Sequence, residues 1–73
     1  MQTQDCKIAV LDGKTLRKFI NALKKSGADM YIDKPTLKCA NMGETKILSC
    51  LKYSTGWDCR VHNDYVELLK SCL

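Results

Sequence analysis

Five cationic side chains lie close together in this chain and could bind a negatively charged partner. Residues 14–25 contain five lysines and arginines and no acid, whereas the rest of the chain contains seven cations and eight acids. The formal net charge of +4 therefore comes from this one segment. Ammonium and guanidinium groups at this density attract phosphate groups and carboxylates. The candidate binding residues are Lys14, Arg17, Lys18, Asn21, Lys24 and Lys25.

The spacing of these residues predicts a helix with two different sides. At about 100° per residue, four apolar side chains fall on one side, and the cations fall with Asn21 on the other. Like charges three or four residues apart destabilise a helix by roughly 0.2–0.5 kcal/mol per pair. The segment therefore favours a contact surface, and the alternative is a solvated lysine face that aids solubility. The apolar residues are Leu16, Phe19, Ile20 and Leu23.

The composition of this basic face limits how it could bind nucleic acid. Recognition of base edges favours arginine, and binding to single strands favours aromatic side chains on which bases stack. The face contains one arginine, Arg17, and no aromatic residue. We therefore expect that any contact with nucleic acid is made to the phosphate backbone, without sequence preference.

Cysteine and histidine could bind a metal. Cys59 and His62 have the C-x-x-H spacing of some zinc sites, but such a site needs a second pair of ligands, and Cys50 and Cys72 are the only plausible additions. Residues three apart in a strand point to opposite faces, so Cys59 and His62 would not converge on one ion. We therefore expect no metal site and no cofactor.

The number of cysteines bears on the compartment. The chain has five, and an odd number without a signal-peptide pattern argues against the disulfide framework of a secreted protein. We expect most of them to be reduced and to pack in the core as small apolar side chains. A single disulfide pair remains an alternative. The cysteines are Cys6, Cys39, Cys50, Cys59 and Cys72.

No motif supports catalysis. Cys50 and His62 could form a nucleophile and base couple, but no flanking sequence supports it. Residues 12–15 (Asp-Gly-Lys-Thr) follow a predicted strand, yet they lack the upstream glycine and four-residue spacer of a P-loop. A chain of 73 residues is also short for a deep substrate cleft. We therefore predict that the protein is not an enzyme.

Three aromatic residues lie near predicted strand ends. Tyr31, Tyr53 and Trp57 together could anchor a protein interface, because such residues dominate interface energetics. A domain of this size also needs the area that a buried tryptophan contributes. We therefore expect Trp57 to close the core of the sheet.

The remaining pattern predicts the elements that position these residues. Strand-like runs separated by turn residues indicate a mostly antiparallel sheet of about five strands, and two amphipathic segments indicate two helices. The order β-α-β-β-β-β-α places the chain in the α+β class, with residues 1–73 as one domain. Asp12 suits the N-cap of the first helix, Gly27 its C-terminus and Asn63 the N-cap of the second. The predicted strands are 6–11, 29–33, 36–40, 45–53 and 57–62.

Both helices are expected to cover the sheet, because each has one apolar stripe; if they share one face, the other face is left partly open. On the long fourth strand, Ile47, Leu51 and Tyr53 are expected to point inward, and on the third strand Leu37 and Cys39. A slip of one residue in register would invert this assignment. The residues expected on the open face are Lys46, Leu48, Cys50, Lys52, Asp58, Arg60 and His62.

The order of elements also carries a resemblance. Residues 8–53 form a β-α-β-β-β unit with a basic outer helix, and this unit resembles one half-domain of the ring-shaped DNA sliding clamps. The resemblance implies a helix that faces duplex DNA. It is a resemblance of element order without a shared motif, and the chain is far shorter than a clamp subunit.

These observations favour a small non-enzymatic binding protein. We expect it to dock through its basic helix onto a partner protein with an acidic or nucleic-acid-binding groove. Phages use small proteins of this kind, including anti-CRISPR proteins, to inhibit host nucleic-acid machinery. The alternative is a sequence-nonspecific nucleic-acid-binding protein that contacts phosphates through the same helix. No apolar run is long enough to span a membrane, so we expect a complete cytoplasmic product, located in the host cytoplasm if viral.

Overall fold

A five-stranded antiparallel sheet and two helices form the protein, in the predicted order β-α-β-β-β-β-α. The computed structural model describes residues 6–73; residues 1–5, where the sequence shows no signal-peptide pattern, lie outside the described residues. The predicted α+β class is therefore confirmed. The elements are β1 (Cys6–Leu11), α1 (Gly13–Lys25), β2 (Asp29–Lys34), β3 (Leu37–Met42), β4 (Thr45–Tyr53), β5 (Gly56–His62), a 3₁₀ turn (Asn63–Tyr65) and α2 (Val66–Lys70).

The topology of the sheet decides where α1 lies. The strand order is β1-β5-β4-β3-β2, so β2 to β5 form a meander and β1 pairs with β5 at the far edge. Because α1 connects β1 to β2, it carries the chain from one edge of the sheet to the other. The helix therefore crosses one face of the sheet and shows its opposite side to solvent.

The core lies between this face of the sheet and the helices. The four apolar residues predicted on one side of α1 are all buried, and Leu69 of α2 joins them. On the sheet, the buried residues come from the inner alternation of the central strands, including Leu48, Cys50, Cys59 and Val61. Both helices thus bury their apolar sides on the same face of the sheet. None of the helices within residues 6–73 is long and apolar enough to cross a bilayer.

Both predicted ends of α1 are confirmed. Asp12 is extended, and one of its carboxylate oxygens accepts a hydrogen bond of 2.7 Å from the backbone N–H of Thr15. This bond holds the pKa of Asp12 below its ordinary value, and the cations at Lys14 and Lys18 lower it further. At the other end, Gly27 takes a left-handed conformation with φ of 101°, which residues with a side chain rarely adopt.

Changing Asp12 to alanine is expected to lower the thermal midpoint at neutral pH, because the first turn of α1 loses its side-chain acceptor. A lowered pKa in the folded state contributes stability above the unfolded pKa, and that stability is lost as pH falls through the depressed value. The wild-type midpoint should therefore approach that of the alanine variant in acid. Thermal unfolding followed by circular dichroism from neutral pH to about pH 2 measures this, with Asp12→Asn as the uncharged cap control. A constant gap between wild type and Asp12→Ala would contradict the prediction.

The prediction for β4 is wrong over most of its length. Leu48 and Cys50, expected on the open face, are fully buried under the helices, and Lys52 lies on the same side. Leu51 and Tyr53, expected inward, are exposed on the opposite face. The reason is a register shift where β3 meets β4, at which Ile47 is an extra residue and packs in the core beside Leu48.

The same inversion reaches β3, the neighbour of β4, and a further irregularity affects β2. Leu37 and Cys39 of β3 pair with Leu51 and Ser49, and so they face away from the helices rather than inward. In β2 a second register shift places Met30 and Ile32 on opposite faces, whereas strict alternation places them on one. For β5 the expectation holds, because Asp58, Arg60 and His62 alternate with the buried Trp57, Cys59 and Val61.

The C-terminal helix begins differently from the prediction. Asn63 does not cap it; instead His62 precedes a 3₁₀ turn, and its Nδ1 accepts a hydrogen bond of 3.1 Å from the backbone N–H of Asp64. The α-helix that follows, Val66–Lys70, is one turn long. An imidazole nitrogen can accept this bond as an asparagine oxygen does, and this shifts the cap by one residue.

Gly56 is expected to tolerate no side chain. Its φ is 152°, and a Cβ built there would lie 2.8 Å from the backbone oxygen of Leu11 on the neighbouring strand. Gly56→Ala should therefore destabilise the protein by about 1–3 kcal/mol for the strained backbone conformation, and by more because the backbone of β1 must also move away from the new methyl group. Gly43→Ala is the matched control, because that glycine also has positive φ but meets nothing within 4 Å. Urea unfolding should show the larger loss for Gly56→Ala, and equal losses would contradict the argument from the close contact.

Candidate functional site

The six candidate binding residues all lie on the exposed side of α1. They divide into two rows along the helix. We call the residues beside the sheet the groove row and the others the outer row. The groove row is Arg17, Asn21 and Lys24, and the outer row is Lys14, Lys18 and Lys25.

The charges of α1 have no carboxylate partner within residues 6–73. The ion pairs in this part of the chain join Lys38 to Asp33 and Lys70 to Glu67, and neither involves α1. Lys14 and Lys18 act on Asp12 at longer range, and Lys24 acts on Asp33, but both carboxylates are already hydrogen-bonded elsewhere. The positive potential of α1 is therefore balanced mainly by solvent and salt.

A groove of about 450 Å³ separates the groove row from the strands beneath it. Its far wall brings two further cations, Lys38 of β3 and Lys52 of β4, and one acid, Asp33. Lys38 donates a hydrogen bond to Asp33 and holds the pKa of that carboxyl below its ordinary value. Four cations and one acid thus line the groove, and its net charge is positive.

Trp57 forms the floor of the groove and is 6% exposed. The ammonium groups of Lys38 and Lys52 lie 5.6 Å and 5.5 Å from the centroid of its ring. Cation–π contacts of this kind are worth about 0.5–1 kcal/mol at exposed positions and fix where the ammonium groups lie. Trp57 therefore holds two lysines across from α1, and its predicted place in the core is confirmed.

Sequence reasoning missed Lys38 and Lys52 as members of this surface. Both lysines lie on the inner face at the end of a row of inward-pointing residues. Lys38 is two residues before Ala40, and Lys52 is two residues after Cys50. A lysine at such a position reaches the rim of the core and can extend toward solvent. That signal was available only with the correct register of β4, which the sequence pattern inverted.

The basic surface, as defined here, comprises the groove row, the outer row, Lys38 and Lys52. Its cations converge from one helix and two strands onto one side of the molecule. It contains no exposed aromatic ring, because Tyr53 points to the opposite face of the sheet and Tyr31 contacts Cys39 on that same opposite face. The alternative that Trp57 and these tyrosines form one interface anchor is therefore wrong.

The expectation of reduced cysteines is wrong for two of the five, and the alternative of a single disulfide pair is correct. Cys50 and Cys59 lie directly opposite each other on β4 and β5, with 4.0 Å between their Cα atoms, and they form a disulfide. Both are fully buried beneath α1. Cys39 is a buried thiol whose sulfur lies 3.7 Å from the hydroxyl oxygen of Ser49, and Cys72 packs against the core. The alternative of a single disulfide pair is the one that the structure contains.

The other chemical arrangements considered from the sequence do not form. Cys59 and His62 lie on opposite faces of β5, and Cys59 is bonded to Cys50. Cys50 for the same reasons cannot act as a nucleophile beside His62; the cysteine opposite His62 in the register is Cys6. Residues 6–73 contain no group of three or more histidine, cysteine, aspartate or glutamate side chains that could hold a metal ion.

Comparison of the chain with protein-family models, with curated protein sequences and with solved structures gave no match. The likeness to a sliding-clamp half-domain stays a resemblance of element order. The charge, the groove and the burial described above are therefore the basis for any assignment of function.

Proposed function

We propose that the protein is a small non-enzymatic binding protein that docks its basic surface onto an acidic surface of a partner protein. One observation carries the proposal: the five cations of α1 are exposed on one face, and no carboxylate within residues 6–73 pairs with them. Lys38 and Lys52 continue this charge across the groove. Such a field attracts an anionic partner and orients it during encounter.

The groove supports a partner with projecting carboxylates. A glutamate or aspartate side chain entering it would meet Arg17 and Lys24 on one wall and Lys52 on the other. Asp33 already occupies Lys38, so the opening nearest to Lys52 and α1 is the more positive part. Arginine can bind a carboxylate through two parallel hydrogen bonds, which adds orientation to the attraction.

The sign of the charge favours an acidic protein surface over a nucleic-acid-binding groove. A groove that binds nucleic acid is itself positive, because it neutralises phosphates. It would repel the basic surface described here. Inhibition of host nucleic-acid machinery by a phage protein, including an anti-CRISPR role, stays a prediction, and it would require an acidic region on the target.

Nucleic acid is the second candidate, because the same cations fit phosphate groups. Binding would use the backbone alone, since Trp57 is buried and the basic surface offers no ring for stacking. Its affinity would fall steeply with salt and would not depend on base sequence. The two candidates therefore differ in a measurable way.

Binding to two defined probes tests the proposal. Polyglutamate represents the acidic protein surface and a 20-base-pair duplex DNA represents the phosphate backbone; fluorescence anisotropy at several salt concentrations measures both. We expect binding to polyglutamate, with weaker binding to the duplex at about 0.15 M salt. Preference for the duplex, with a slope of log K against log salt near −4 to −5, would support the nucleic-acid candidate instead. Failure to bind either probe at low salt would contradict both.

A further inference from the structure

The face of the sheet that turns away from α1 and α2, here called the open face, carries exposed apolar side chains. Ile8 and Val10 of β1 are 67% and 72% exposed, and Leu51 and Tyr53 of β4 are about half exposed. A strand surface of a soluble domain usually alternates apolar residues toward the core with polar residues toward water. Here β1 and β4 carry apolar residues on both faces, although the helices cover only one face.

These side chains are continuous across the sheet. The register places Val10 beside Asp58, then Leu51, Leu37 and finally Lys34 in one row across the five strands. The next row runs from Ile8 through Arg60, Ser49 and Cys39 to Ile32. The open face is thus a patch whose centre holds Asp58 and Arg60 among apolar and small polar residues, with Lys34 and Lys46 toward its edges. Exposed apolar patches of this extent mark interaction surfaces.

The two central charges of the open face complement each other. Asp58 and Arg60 are two residues apart on β5, so their Cα atoms are about 7 Å apart on the same side of the strand. Neither has an ion-pair partner within residues 6–73. This central pair is complementary to itself when the face is turned by 180°, because Asp58 of each copy then faces Arg60 of the other.

We propose that a second copy of this chain covers the open face, forming a dimer with twofold symmetry. Two sheets packed face to face would bury the apolar rows against each other at a separation of about 10 Å. Five strands about 4.8 Å apart and about 23 Å long give a flat patch of roughly 500 Å² per copy. The total of about 1,000 Å² lies at the lower limit for a specific interface and predicts a weak dimer.

The position of the basic surface is compatible with a dimer through the open face and argues against a dimer through the helix-covered face. In the dimer the two α1 helices lie on the outside with the two sheets between them. Two helix-to-sheet spacings and one sheet-to-sheet spacing place their axes about 30 Å apart. This distance exceeds the screening length of about 8 Å at physiological salt, so the two basic surfaces hardly repel each other. Packing through α1 itself would oppose five cations to five cations. The inference does not depend on what the basic surface binds.

Sedimentation equilibrium of the full chain tests the dimer, over concentrations from about 1 µM to about 1 mM. We expect a reversible monomer–dimer equilibrium within this range. Val10→Lys should raise the dissociation constant at least tenfold, since it places a charge in the apolar row at a side chain that is already exposed. Leu73→Lys is the matched control, because Leu73 is similarly exposed but lies beyond α2, and it should leave the constant unchanged.

Exchange of the two central charges distinguishes a self-complementary face from simple stickiness. Asp58→Arg alone should raise the dissociation constant at least tenfold, because each copy then presents two cations to two cations. The double variant Asp58→Arg with Arg60→Asp should restore most of the affinity, because the pair is preserved with its signs exchanged. Circular dichroism shows whether each variant is folded. If Asp58→Arg alone does not fold, the double variant still tests the proposal through its restored dimer.

Three results would overturn the proposal. A chain that remains monomeric at about 1 mM lacks the predicted interface. A dimer that Val10→Lys leaves unchanged uses another surface. A dimer that survives in a denaturing gel without reductant is held by cysteine, and not by the open face.

Discussion

Changing Lys14, Lys18 and Lys25 to glutamate is expected to abolish binding to an acidic partner while the fold remains intact. The three residues form the outer row, and the variant changes the formal net charge of the chain from +4 to −2. Each position would then repel a carboxylate instead of attracting it. Losing three charged contacts should weaken binding roughly a hundredfold or more, since each is worth about 1 kcal/mol or more at an interface.

The fold should tolerate these changes because all three side chains are exposed. A glutamate at position 14 lies in the first turn of α1, where the helix dipole favours negative charge. The glutamate at position 25 lies in the last turn and has the opposite effect, so the two largely offset each other. Circular dichroism and thermal unfolding should therefore remain close to those of the wild type.

A matched variant separates docking from net charge. Lys7, Lys34 and Lys70 lie outside α1 and are exposed, and changing them to glutamate gives the same net charge of −2. Anisotropy with polyglutamate should show binding by this control at reduced affinity and none by the outer-row variant. Equal losses in the two variants would mean that the overall charge, and not α1, determines binding.

Replacing Cys50 and Cys59 together by alanine is expected to cause the largest loss of stability. In the chain-entropy description, a disulfide that closes a loop of about ten residues stabilises the folded state by about 2.5–3 kcal/mol. Both sulfurs are also fully buried, so their removal leaves a cavity beneath α1. A domain of 73 residues has a free energy of unfolding of only about 4–11 kcal/mol. The variant should therefore lose a large fraction of its stability.

Urea unfolding of the double variant measures this loss. Cys39→Ala is the control, because it removes a buried sulfur that forms no disulfide. Proteolysis after alkylation without reductant should also recover two peptides joined through Cys50 and Cys59. If both cysteines are alkylated instead, the bond is absent in the isolated protein. The double variant should then lose only about as much free energy of unfolding as the removal of two unbonded buried thiols.

The sequence predicted α1 in detail because several independent signals agree there. Asp12 marks its start, Gly27 its end, and the apolar and basic residues separate at helical spacing. The succession of strands along the chain followed from the turn residues between them. These are local properties of the chain, and tertiary contacts did not override them.

The faces of β4 could not be predicted in the same way. Its two alternations are both apolar, with Leu48 and Cys50 on one and Leu51 and Tyr53 on the other, so hydrophobicity did not select the inner face. The register shift beside Ile47 then reversed strict alternation at one point. Lys38 and Lys52 were missed for this reason, and so was the facing position of Cys50 and Cys59. The apolar residues of the open face cause this ambiguity, because β4 buries only one side under the helices and carries apolar residues on both.

The position of Trp57 has a spectroscopic consequence. It is the single tryptophan of the chain, and the ammonium groups of Lys38 and Lys52 flank its ring at the floor of the groove. A ligand that draws either lysine away changes the electric field at the indole. The intrinsic emission of the unlabelled protein should therefore shift when the groove is filled, while occupation of the open face should leave that emission unaltered.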